Sequence, residues 1–134
     1  MTQHAAGTFD VKVIPQPADD SAGGPFSRLF LDKQFHGQLD GASKGTMLGT
    51  MSGAEGSGGY VALEQFTGTL DGKRGSFVLQ HNGSMVKNIP TMIVAIVPGS
   101  GTGELTGIAG TMRITIGGGI HSYQLDYTLG GSAQ

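Results

Sequence analysis

Apolar and polar residues alternate with a period of two through most of the chain, in short runs separated by Gly, Pro, Asn and Asp. This is the pattern of β-strands with one covered and one wet face. About eight runs can be read. In the first, Ala5–Ile14, Phe9, Val11 and Val13 oppose Asp10 and Lys12. Pro15 and Pro17 end it, because proline cannot continue a ladder. Residues 15–24 are expected to form a mobile loop. The second run, Ser27–His36, sets Leu29, Leu31 and Phe35 against Arg28, Phe30, Asp32, Gln34 and His36. The third, Ser43–Met51, is glycine-rich and weak.

Gly56 to Met85 contains the sharpest signal, two strand-type runs around Asp71-Gly72. Asp-Gly between such runs predicts a tight hairpin turn, since the turn needs positive φ. With these as the central turn residues, Phe66 faces Phe77, Glu64 faces Leu79 and Ala62 faces His81. One face then carries Tyr60, Glu64, Phe66, Phe77, Leu79 and His81, aromatic and apolar with a carboxylate and an imidazole set into it. A three-residue turn with a bulge would instead pair Glu64 with Gln80. Asn82-Gly83 reads as a second turn.

The sixth run, Asn88–Val97, is apolar on both faces and so calls for cover on both. Its outer face predicts a homo-oligomer, a dimer first, using residues 88–97. Gly99 to Gly110 is too glycine-rich for a long helix but suits one helical turn across a barrel end. Thr111–Ile116 and Ile120–Leu129 are the last strands, joined by Gly117-Gly118-Gly119. In the last, His121, Tyr123, Leu125, Tyr127 and Leu129 share a face. The tail from 130 to 134 is expected to fray.

Eight antiparallel strands with short connections leave two edges, which closure into a barrel removes. The predicted fold is therefore all-β, a closed antiparallel barrel of about eight strands in a single domain over 1–134; a two-sheet sandwich is the alternative. The predicted interior holds Phe9, Leu29, Leu31, Tyr60, Phe66, Phe77, Leu79, Tyr123, Leu125 and Tyr127.

Composition narrows the function. There are 25 glycines in 134 residues, without a collagen period, and they fall between apolar runs as strand bends and turns do. The net charge of −2 and lack of a basic cluster argue against nucleic-acid binding. No apolar run is long enough to span a bilayer as a helix. The absence of cysteine and of a basic-then-apolar leader points to the cytoplasm.

Three segments, 56–81, 97–112 and 121–129, together resemble a family of small bacterial proteins classed as a domain of unknown function. That family is similar in fold to the allene oxide cyclase barrel, within the calycin-like group. Gly101-Thr102-Gly103-Glu104-Leu105-Thr106-Gly107-Ile108-Ala109-Gly110 also resembles the Gly-Thr-Gly signature of dirigent proteins. The resemblance implies a closed barrel, often oligomeric, with a cavity; it transfers no catalytic residue, and fold alone does not give function.

Glu64 and His81 are the candidate catalytic pair. As diagonal neighbours they lie within reach of each other, and a carboxylate and an imidazole can exchange a proton near neutral pH. A solvated surface pair or a buried structural ion pair are the plainer readings. Tyr60, Phe66, Phe77, His121, Tyr123 and Tyr127 are candidate ligand contacts, or simply core. Met47, Met51, Met85 and Met92 suit core packing, or an adaptable cavity wall. The four histidines show no zinc-type spacing, so neither metal nor cofactor is expected. Three functions fit: a barrel binding a small apolar molecule; a cofactor-independent isomerase, cyclase or lyase with Glu64 as base; or a filled scaffold without chemistry.

Overall fold

A computed structural model describes residues 2–17, 24–51 and 56–129. Among them are eight antiparallel strands, β1 (Gln3–Pro15), β2 (Ser27–Gly37), β3 (Leu39–Met51), β4 (Gly58–Leu70), β5 (Lys73–Val86), β6 (Ile89–Ile96), β7 (Ala109–Gly117) and β8 (Ile120–Thr128). Each pairs with its neighbours in sequence, and β1 also pairs with β8, so the sheet closes into a barrel rather than a sandwich. The centre of the 15–24 loop and the tail from 130 lie outside the described residues.

The β4–β5 hairpin has the predicted register: Phe66 faces Phe77, Glu64 faces Leu79 and Ala62 faces His81. Asp71 and Gly72 adopt φ of 51° and 82°, the left-handed pair that a tight turn between twisted strands requires. Asn82-Gly83, however, is not a turn. Both residues lie within β5, opposite Val61 and Tyr60, and the chain reverses at Lys87-Asn88 with φ of 50° and 67°. Gly83 serves packing instead, because a Cβ there would stand 2.3 Å from Cε1 of the Tyr60 ring. The third strand also begins earlier than expected, at Leu39, whose side chain is fully buried.

One half of the barrel is solid. Leu39, Leu70, Leu105 and Ile108 fill its end. Above them Phe9, Phe35, Phe66 and Phe77 form a chain of rings, with Tyr123 edge-on to Phe35 at 5.4 Å between centroids. The glycine-rich connection between β6 and β7 seals this end. Its single turn of 3-10 helix, Gly103–Leu105, turns Leu105 into the core, as the expected helical turn would. The Thr102 N–H donates to the Ser76 carbonyl at 2.9 Å, and the Val78 and Arg74 N–H groups donate to Ser100 Oγ and Glu104 Oε1 at 3.0 and 2.9 Å. So close an approach needs Gly75, where a Cβ would lie 2.1 Å from the Thr102 carbonyl oxygen.

Tyr123 ties the same end together: its hydroxyl accepts from the Leu39 N–H at 2.9 Å and donates to the His36 carbonyl at 3.1 Å. Tyr123→Phe leaves that N–H buried without a partner and should cost about 1–3 kcal/mol. Urea unfolding of the variant beside wild type checks this.

The other half differs. Val13, Met85, Met92 and Ile116 occupy inward positions by register, yet remain 49%, 37%, 42% and 64% exposed. Leu29, Met47 and Tyr60, which also face inward here, are half-buried. This end is an apolar mouth. On the outside, β6 turns Ile89 and Ile93 to solvent and buries Val94 and Ile96. Leu48, Val61 and Leu63 extend the exposed outer strip across β3 and β4.

Candidate functional site

Between the solid half and the mouth lies a layer of buried polar side chains. In β2 the inward series is Leu29, Leu31, Lys33, Phe35, so the two-residue period carries a lysine into the interior. Lys33 is 6% exposed, Glu64 1% and His81 4%. Ser43, cross-strand from Lys33 and wholly buried, completes the layer. Gly45 opposite Glu64 makes room for it: a Cβ there would lie 2.6 Å from the Glu64 Cβ.

Lys33 Nζ donates to Glu64 Oε1 at 3.1 Å and stands 2.9 Å from Oε2, outside hydrogen-bonding geometry. The ammonium also sits 4.7 Å from the centre of the Phe9 ring and 5.9 Å from that of Phe35. His81 Nε2 lies 3.5 Å from Glu64 Oε1, too far for a good bond. Among the described residues, three buried polar atoms have no hydrogen-bond partner: Ser43 Oγ, Glu64 Oε2 and His81 Nε2.

Burial by itself would raise the Glu64 pKa, but His81 and Lys33 outweigh it and hold the carboxyl below its ordinary value. Glu64 is therefore ionised in the folded protein at neutral pH. A depressed folded value means that its contribution to stability is complete above the unfolded glutamate pKa of about 4.3. The contribution is lost as the pH falls through the lower folded value. Stability should thus fall on acidification below about pH 4, and less steeply in a Lys33→Met/Glu64→Leu double variant. Urea titrations at a series of pH values measure both slopes.

The structure brings Glu64, His81 and Tyr60 to one inner face beneath the mouth. Burial, then the Glu64 charge, raises the Tyr60 pKa, so its hydroxyl stays neutral. Phe66 and Phe77 lie in the solid half, away from the mouth. The Tyr123 hydroxyl is taken by backbone, and that of Tyr127 donates to Asp71 Oδ2 beside the hairpin turn. His121 is half-buried with its ring 5.2 Å from that of Phe9. Sequence reasoning missed Lys33 and Ser43. Both were signalled by parity alone, Lys33 between Leu31 and Phe35 and Ser43 between Gly41 and Gly45.

Fold and site together define a closed eight-stranded antiparallel barrel with a solid end, an apolar mouth and a buried polar layer between them. The family described as "Protein of unknown function (DUF3224)" matches residues 5–127, and the chain belongs to that family. It is similar to a DUF3224 protein of unknown function from Shewanella oneidensis MR-1, known from a crystal structure. The two share 44% identity over 96% of this chain and 98% of that one, with a TM-score of 0.89. No curated protein matches the chain. Among the described residues no helix is long and apolar enough to cross a membrane.

Proposed function

We propose that the barrel binds a small, largely apolar molecule through its mouth. The observation that carries this reading is the set of inward-facing apolar side chains, Val13, Met85, Met92 and Ile116, left exposed at one end of the barrel. Apolar residues at inward positions normally fill a core; here they line an entrance, with flexible methionines suited to an adaptable wall. The likeness to allene oxide cyclase and dirigent barrels belongs to the same proposal and is supported by strand number and closure. The alternative with Glu64 as a catalytic base draws less support, because a carboxylate held below its ordinary pKa is a weak base. The filled-scaffold alternative fits the solid half but not the mouth.

The same proposal places the protein in the cytoplasm, on its lack of cysteine, and pairs two copies through the outer strip. Ile89 and Ile93 of the 88–97 strand are exposed there, and Leu48, Val61 and Leu63 continue the strip to a shallow groove of about 540 Å³ lined by Thr46, Leu48, Val61, Ala62, Leu63 and Gln80. These groove side chains are uncharged, so two copies can meet without opposing like charges. Native mass spectrometry of the protein mixed with a bacterial metabolite extract tests both parts. A retained small molecule and a dimer are expected. A bare species throughout would sink the binding reading, and a monomer at micromolar concentration would sink the pairing.

A further inference from the structure

The three buried atoms without a hydrogen bond specify more than an apolar ligand. We infer that the Lys33–Glu64–His81–Ser43 layer receives a hydroxyl group at the inner end of that ligand, an inference that rests on the binding reading above. Ser43 Oγ, Glu64 Oε2 and His81 Nε2 are buried without a hydrogen bond, Oε2 being held only by the charge of Lys33 at 2.9 Å and Nε2 lying 3.5 Å from Glu64 Oε1, whereas buried polar groups in folded proteins are normally hydrogen-bonded. Leaving them so is costly, and a ligand that pairs them recovers the cost.

The chemistry of the layer selects among possible ligand ends. Glu64 Oε2 has an acceptor position open, so the ligand must donate a hydrogen bond. Ser43 Oγ and His81 Nε2 can each donate one, so the ligand must also accept. A hydroxyl does both from a single atom. An ether or carbonyl oxygen accepts but leaves Oε2 unpaired. Charged ends fit less well, because Lys33 and Glu64 already neutralise each other at 2.9–3.1 Å. A carboxylate would bring a second negative charge to Glu64, and an ammonium a second positive charge to Lys33. Leu29, Leu31 and Met47, apolar and inward-facing between the layer and the mouth, suit the hydrocarbon body of such an alcohol.

The test is a nitrogen-15 NMR titration of the intact protein with four ligands of similar size: octan-1-ol, methyl heptyl ether, octanoate and octylamine. Octan-1-ol is expected to bind at least about tenfold more tightly than each of the others, as one well-made buried hydrogen bond to a charged group implies. Its shifts should centre on the amides of 33, 43, 64 and 81. In Lys33→Met/Glu64→Leu the preference for the alcohol over the ether should shrink below about twofold, with ether binding kept. Ser43→Ala, which removes no charge, should weaken the alcohol alone, about threefold. Equal binding of alcohol and ether, tighter binding of octanoate or octylamine, or a preference that survives both variants would overturn the hydroxyl inference while leaving the binding barrel standing. Absence of shifts at the mouth with all four ligands would overturn the binding reading, and this inference with it.

Discussion

Glu64→Leu is expected to destabilise the protein by about 3–5 kcal/mol, out of proportion to the size of the change. The substitution leaves the Lys33 ammonium 6% exposed and without its carboxylate, beside the Phe9 and Phe35 rings. A cation–π contact is worth about 0.5–2 kcal/mol, whereas holding an unpaired charge out of water costs several. The loss should therefore be largely recovered by adding Lys33→Met, since exchanging both members of a buried ion pair for apolar residues is often neutral. Urea denaturation of the two single variants and the double closes the cycle. A Glu64→Leu protein within about 1 kcal/mol of wild type would show that Lys33 reaches water, and the enclosed polar layer would be lost with it.

Phe35→Ala is expected to cost about 3–5 kcal/mol, by a different route. Phe35 is wholly buried, with ring centroids 5.2 Å from Phe9, 5.8 Å from Phe66 and 5.4 Å from Tyr123. Removing it opens a void where three neighbouring elements meet, and the closed barrel cannot collapse to fill it. Met92→Ala is the matched control. Met92 also faces inward but is 42% exposed at the mouth, so its loss should change stability by less than about 1 kcal/mol. Comparable costs at the two positions would contradict the division into a solid half and an open one.

The candidate site was half legible in the chain. Asp71-Gly72 fixed the hairpin register, and register put Glu64, His81 and Tyr60 on one face. Their partner Lys33 escaped notice because a lysine among polar neighbours looks like a surface residue, although its parity with Leu31 and Phe35 placed it inside. Tyr123 and Tyr127 show the opposite difficulty. Their inward direction was readable, but the use of their hydroxyls depends on the Leu39 N–H and Asp71, which lie far away in sequence. Asn82-Gly83 misled because the same dipeptide serves a turn or an aromatic cover, and only the Tyr60 ring across the ladder decides which.

Period-two alternation and turn chemistry, both local properties, determined the strands, their inward faces and the all-β class of this protein. Closure, the sealing of one end by Leu105 and Ile108, and the meeting of Lys33 with Glu64 were decided only in three dimensions. The physical reason is that a strand fixes which way its side chains point. What they meet there is set by the stagger of the neighbouring strands around the closed barrel, which is a property of the whole sheet.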